Sequence, residues 1–271
     1  MTARSLPIGV FDSGVGGLSV LRALRQAMPR EDFIYLGDTA RLPYGTKSAA
    51  TVRRYSLQCA AVLAARGICG LVVACNTASA SALPALQAQY PKLPIIGVIE
   101  AGAEAAVAAS KSQHIAVIAT EGTISGGAYQ AAILAISPHA RIRAGACSLF
   151  VALAEEGLTT GPIAEAIAHR YLDPIFRGDD PPDTLVLGCT HFPALAPAIR
   201  GVLPSTVEVV DSAVTTATAA RRLFPLKASR EQGRVAWLAT DDAARFARIG
   251  SFFLGEIVPS EAVEIVDIQA R

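Results

Sequence analysis

Short apolar, β-branched runs alternate with longer Ala- and Leu-rich stretches almost to the end of the chain, which is the pattern of a parallel sheet covered by helices. The apolar runs predict strands at Ile8–Phe11, Phe33–Leu36, Leu71–Ala74, Ile95–Ile99, Ile115–Ala119, Leu185–Leu187 and Val207–Val210. Between them the spacing predicts helices such as Leu18–Met28, Ala49–Arg66, closed by Gly67, and Ala128–Ile136. The tail adds strands at Val235–Ala239 and Val263–Val266. The expected fold class is α/β.

An internal echo refines this picture. LVVACNTASASALPAL, from Leu71, and LVLGCTHFPALAPAI, from Leu185, both run three apolar residues and a small one into a cysteine, a polar pair and an Ala/Leu/Pro helix start. A weaker echo pairs IGVFDS at Ile8 with IAVIAT at Ile115. The expectation is two pseudo-symmetric lobes facing each other, each a mostly parallel sheet flanked by helices, with residues 1–97 and 208–271 in the first and 98–207 in the second. In open sheets of this kind ligands sit at the carboxyl ends of the strands. Asp12, Asp38, Cys75, Cys189 and Asp211 all fall at expected strand ends, so the active site is expected in the crevice between the lobes.

Composition removes several function classes. The 271 residues are 52% hydrophobic and 17% charged, a globular balance, and a net charge of +1 without basic runs gives no footprint for nucleic acid. The start, MTARSLPIGVFDSG, shows no signal-peptide core, and the uncharged stretch from Gly67 to Pro91 is too broken by polar residues and proline to be a membrane span. Five cysteines without short regular spacings suit a reducing compartment, so a cytoplasmic protein is expected.

Two loops resemble nucleotide motifs and fail at defined positions. FDSGVGG, from Phe11, lacks the third glycine of a dinucleotide fingerprint, because Ser19 stands there; YLGDTARLPYGTKS, from Tyr35, has Thr46 where a phosphate loop needs glycine before Lys47. The remaining reading of the first is a tight turn whose amides, with Ser13, can hold a carboxylate. Of the cysteines, Cys59, Cys69 and Cys147 sit among Ala and Gly and read as small packing residues. Cys75 and Cys189 each end a strand and precede a helix, where amides and helix dipole can lower a thiol pKa from about 8.5 toward neutrality. A zinc site from Cys75, Cys189 and His191 lacks a paired knuckle and a fourth ligand. A lone cysteine nucleophile with His191 as base leaves the second thiol unexplained. Two matched thiols in facing lobes instead suit proton transfer on opposite faces of one carbon, with one cysteine as thiolate and the other as thiol.

FDSGVGG, YLGDTARLPYG, ACNTASA, the EEG at Glu155 to Gly157, GCTHFP and VDSA at Val210 to Ala213, in that order, resemble the cofactor-independent glutamate racemases of bacterial cell-wall synthesis over residues 7 to 220. The resemblance implies a homodimer that interconverts L- and D-glutamate without pyridoxal phosphate or metal. Carried across by motif, Cys75 resembles the thiolate acting on D-glutamate and Cys189 the one acting on L-glutamate, with Asp12 assisting Cys75 and His191 assisting Cys189. Asp12, Ser13, Tyr44, Gly45, Asn76, Thr77, Thr190 and His191 resemble the substrate-binding set, with amides and side chains serving the carboxylates and ammonium. Asp38 and Glu156 are further candidates. Aspartate racemases typically carry glutamate after the second Cys-Thr, whereas this chain has His191, so the resemblance favours glutamate. CSLFVALAEEG departs from the family in lacking a proline before the acidic pair.

Rival readings remain distinguishable by residue. A pyridoxal-dependent racemase needs a Schiff-base lysine, and Lys47, Lys92, Lys111 and Lys227 are all expected in loops or near helix ends. A two-lobed binding protein would need neither cysteine, and a cysteine hydrolase would keep partial activity without one of them.

Overall fold

The computed structural model describes residues 6–224 and 231–268; Lys227 and the first five residues lie outside them. Among the described residues ten strands fall into two sheets. β1 (Ile8–Asp12), β2 (Phe33–Gly37), β3 (Gly70–Val73) and β4 (Ile95–Gly97) join the late strands β9 (Val235–Ala239) and β10 (Val263–Ile265) in a six-stranded sheet of order β10-β9-β2-β1-β3-β4. β5 (His114–Ala119), β6 (Arg141–Ala146), β7 (Thr184–Gly188) and β8 (Glu208–Asp211) form a four-stranded sheet of order β6-β5-β7-β8. Every pairing is parallel. β1, β2, β3, β5 and β7 are buried along their whole length, which is why they read as unbroken apolar runs.

The helices are α1 (Leu18–Ala27), α2 (Ala49–Ala65), α3 (Asn76–Gln89), α4 (Ile99–Ala109), α5 (Glu121–Ser125), α6 (Ala128–Ile136), α7 (Leu149–Glu155), α8 (Pro162–Phe176), α9 (Ala196–Val202), α10 (Ser212–Leu223) and α11 (Ala243–Leu254). Ser48 caps α2 by accepting the Thr51 amide, and Asp211 caps α10 by accepting that of Ala213. One core fills the face of the first sheet under α2 and α3, with Phe11, Leu36 and Val73 in it. The other runs from Ile8 and Val10 through α1, α4 and α10 into the second sheet.

The echo in the sequence has a geometric counterpart. Gly9 pairs with Leu71 between β1 and β3, and Ala116 pairs with Leu185 between β5 and β7, so the echoing segments meet in the same register in both sheets. In each sheet the first strand is flanked by the next two, one on either side, so each has a switch point where a crevice opens at the carboxyl ends.

Two boundaries differ from the sequence reading. β8 hydrogen-bonds to β7, so residues 208–211, allotted to the first lobe, lie in the second sheet; α9 carries the chain from β7 back to a parallel strand beside it. The run predicted as a strand through Ile99 stops at Gly97, and Ile99 begins α4, which packs on β7 and β8. β6 was not predicted. It is an edge strand whose arginines leave no apolar run to read, and Arg143 donates to the carbonyls of Ile175 and Arg177.

Candidate active site

On the first-lobe side, β1 ends in Asp12 and β3 runs into Cys75, so the parallel pairing of these strands sets carboxylate and thiol beside each other. Cys75 is the N-cap of α3, its sulfur accepting the Ala78 amide at 3.5 Å and donating to Ser13 Oγ at 3.6 Å. Burial, with Asp12 adding to it, pushes the thiol up to about 12, outweighing the Ala78 amide and Ser13. The helix start therefore does not bring Cys75 toward neutrality, as its position in the sequence suggested; desolvation dominates. Asp12 is itself fully buried, and burial raises its carboxyl above the usual range against the pull of His191 and the amides of Gly17, Gly14 and Ser13. Its Oδ2 accepts the Gly14 amide at 2.9 Å, and its Oδ1 has no partner.

On the second-lobe side, β7 delivers Cys189, Thr190 and His191, all buried. His191 Nδ1 lies 3.8 Å from the Cys189 sulfur, and Nε2 lies 3.2 Å from Glu155 Oε1. Burial opposes charge on this imidazole, yet the hydrogen bonds to Cys189 and Glu155, with the charges of Cys189 and Asp12, carry its pKa up to about 10. The ring of Phe253 packs edge-on against it, centroids 5.1 Å apart. The two thiols are near enough for Cys189 to act electrostatically on Cys75.

The halves interlock. Ser19 Oγ on α1 donates to the Thr190 carbonyl at 3.0 Å, and Tyr129 of α6 donates to Asn76 Oδ1 at 2.8 Å, leaving the buried Asn76 Nδ2 without a partner. Thr77 Oγ1 lies 3.0 Å from Thr120 and 3.1 Å from Thr123, which are 3.1 Å from each other, so three hydroxyls form a triangle across the crevice. Gly45 lies flat against Thr120, where a Cβ would come within 2.6 Å. Outside Gly45 and Thr77 a cleft of about 550 Å³ opens between Lys47, Ser81 and Glu121.

Asp12, Ser13, Gly45, Cys75, Asn76, Thr77, Cys189, Thr190 and His191 thus converge. Tyr44 and Asp38 stand differently. The Tyr44 hydroxyl is turned into the first lobe, donating to Asp38 Oδ2, and Asp38 also receives Arg41 at 2.8 Å and Thr240 at 3.0 Å. Asp38 is a scaffold group under the loop, and it holds the Tyr44 hydroxyl away from the crevice. Glu156 is corrected to its neighbour: Glu156 is exposed beyond α7, whereas Glu155 is the acid that reaches His191. Thr120, Thr123 and Tyr129 were also missed. None of the five cysteines is in a disulfide; Cys59 and Cys147 are buried and Cys69 half-buried. Among the described residues no group of three His, Cys, Asp or Glu side chains is placed to hold a metal, and no helix is long and apolar enough to cross a membrane.

A family model described as Asp/Glu/Hydantoin racemase matches residues 8–220. The class of protein that this fold and site define is therefore the racemases, isomerases that invert a stereocentre. A glutamate racemase of Geobacter metallireducens is 49% identical over 252 residues, 92% of each chain. A solved glutamate racemase of Francisella tularensis, in complex with D-glutamate, superposes with a TM-score of 0.88 at 34% identity, covering 97% of this chain and 98% of that one. That of Thermus thermophilus, in complex with β-chloro-D-alanine, gives 0.85 at 42%, covering 97% of both. The chain belongs to the Asp/Glu/hydantoin racemase family.

Proposed function

We propose that the protein is a glutamate racemase that interconverts L- and D-glutamate by moving the α-proton between Cys75 and Cys189, without a cofactor, and so supplies D-glutamate for peptidoglycan synthesis. The observation that carries this reading is the pair of buried strand-end thiols, each with its own helper: Asp12 beside Cys75, and His191 beside Cys189. In the L-to-D direction the Cys189 thiolate, stabilised by the protonated His191, takes the α-proton. Cys75, kept protonated by burial, gives its proton to the opposite face. The unpartnered Asp12 Oδ1 and Asn76 Nδ2 supply an acceptor for an ammonium and a donor for a carboxylate. The glutamate racemases among its relatives, and the D-glutamate complex of one of them, support glutamate as substrate.

Incubation with L-glutamate in deuterated water should yield D-glutamate labelled at the α-carbon. Cys75→Ser and Cys189→Ser should each reduce racemisation by about 10²- to 10⁴-fold, the usual range for a lost general acid or base. Folded protein giving unlabelled or no product refutes the reading. Retained activity in one serine variant favours a cysteine hydrolase, and an aldimine absorbance band favours pyridoxal chemistry. We also read the protein as a cytoplasmic homodimer, on its family resemblance and thiol content. Light scattering on the purified chain tests the dimer, and a D-glutamate requirement in a strain lacking the protein tests the cell-wall role.

A further inference from the structure

We propose that Arg245, on α11 of the first lobe, is a positioning residue for His191 of the second lobe, acting through Glu155. The proposal rests on the racemase reading above. Glu155 ends α7 with its carboxylate divided between two partners: Oε1 faces His191 Nε2 at 3.2 Å, and Oε2 accepts from Arg245 Nη2 at 3.0 Å. The side chains grade from outside to inside, Arg245 at 45% exposed, Glu155 at 13% and His191 at 8%. A carboxylate held at one oxygen can turn about its last bond. A guanidinium on the second oxygen fixes its plane, and with it the direction in which the first oxygen meets the imidazole.

Arg245 is well placed to act as such an anchor, because the segment that carries it is pinned. Asp242 caps α11 by accepting the Arg245 amide at 2.9 Å. Just before it, Thr39 Oγ1 donates to the Asp241 carbonyl at 2.7 Å and accepts the Asp241 amide at 2.8 Å, while Thr240 Oγ1 accepts the Ala40 amide at 2.8 Å. Further along the same helix, Phe253 presses on the His191 ring. One helix therefore holds the imidazole from two directions. The other half of the site has different hydrogen-bond supports, Ser13 and the Ala78 amide on Cys75 and the Gly14 amide on Asp12, so the direct action of Arg245 falls on the Cys189 transfer.

In that transfer the α-C–H bond of L-glutamate breaks, an S–H bond forms on Cys189, and the electron pair stays on the α-carbon. The reverse step returns the proton from the sulfur. Substrate and product are mirror images, so the equilibrium constant is unity and kcat/KM must be equal in the two directions for any variant. A one-sided defect is invisible in that ratio but visible in primary isotope effects. Deuterium on L-glutamate is removed by Cys189, and deuterium on D-glutamate by Cys75.

The experiment compares wild type, Arg245→Gln and Arg245→Lys with unlabelled and α-deuterated L- and D-glutamate. Arg245→Gln should lower kcat/KM by about 3- to 10-fold in both directions, the loss expected for one charge-assisted contact at a half-exposed position. The isotope effect on kcat/KM should rise for deuterated L-glutamate and fall toward unity for deuterated D-glutamate. Arg245→Lys, which keeps a cation within reach of Glu155, should recover most of the loss. Unchanged isotope effects, whether or not the rate falls, overturn the proposal, as does a rise confined to the D-substrate. A wild-type protein that fails to racemise glutamate overturns the racemase reading instead. An unchanged thermal midpoint in Arg245→Gln shows that the variant is folded.

Discussion

Gly16, in the turn between β1 and α1, approaches His191 so closely that a methyl group on its Cα would stand 2.5 Å from the imidazole and 2.5 Å from Thr190 Oγ1. At this point the first lobe meets His191 and Thr190 through bare backbone, and no side chain fits at position 16. Gly16→Ala must displace His191 or part the lobes. The expected cost is about 1–3 kcal/mol, as for other overpacked sites, with at least a tenfold loss of kcat. Gly201→Ala, in α9 where a Cβ meets nothing within 4 Å, is the control and should leave kcat unchanged and stability unchanged or raised by up to about 1 kcal/mol. Denaturant unfolding and an activity assay on the two variants check this.

The buried hydroxyl of Tyr44 separates structure from binding. Tyr44→Phe keeps the ring and the backbone of Gly45 but takes one donor from Asp38, which is fully buried. Unfolding should show a loss of about 1–3 kcal/mol, the cost of leaving a buried acceptor short of a partner. KM for glutamate should change less than about threefold, because the hydroxyl does not face the crevice.

The three-hydroxyl triangle makes the opposite prediction. Thr120→Val removes one of the two hydroxyls that join Thr77 across the crevice while keeping the shape of the side chain. KM should rise about tenfold, the worth of one polar contact, with kcat falling less. Steady-state kinetics in both directions decide it; an unchanged KM removes the triangle from the substrate site.

Stability should fall as pH rises. His191 is raised from 6.5 to about 10, so between these values the folded protein holds a proton that the unfolded chain has released. Each such proton gives a slope of at most about 1.4 kcal/mol per pH unit between those values, so the stabilisation is present in full below 6.5 and is lost as pH climbs toward 10. Cys75, raised from 9.0 to about 12, adds a loss of the same sign above pH 9. Removing one cause of the first shift, Glu155→Gln should flatten the pH 6.5–10 limb and leave the higher limb in place. Thermal midpoints of the two proteins across pH 6–11 measure the difference.

What could be read from the sequence follows from what each residue's neighbours are. Strands buried on both faces announce themselves, and Cys75 and Cys189 stood out because a thiol at the end of such a run has little packing reason to be there. β6 stayed hidden because an edge strand with Arg141 and Arg143 has no apolar face to display. The choice between Glu155 and Glu156 turned on tertiary contacts. Phe150, Leu153 and Ala154 mark the buried stripe of α7, and by phase Glu156 lies no farther from it than Glu155, so the pair could not be told apart; Glu156 caps the helix and is exposed, while Glu155 is half-buried between His191 and Arg245. The orientation of Tyr44 could not be read locally, since its hydroxyl meets Asp38 and Cys59, and Asp38 is itself held by Thr240 from a distant part of the chain. Thr120 and Thr123 belong to no motif, and only the closing of the lobes sets them against Thr77.

The shared register of β1 with β3 and of β5 with β7 relates the lobes by rotation, and a chain of L-residues can do no more than that. Enantiomers are related by reflection. The two sulfurs can stand in for a reflected pair because each is a single atom, but Asp12 with its glycine amides and His191 with Glu155 cannot. The pocket is therefore handed, and it grips the two forms of its substrate unequally. Since kcat/KM must be equal for the two enantiomers, that handedness emerges in the steady-state rates at saturation: the enantiomer with the lower KM has the lower kcat in the same proportion.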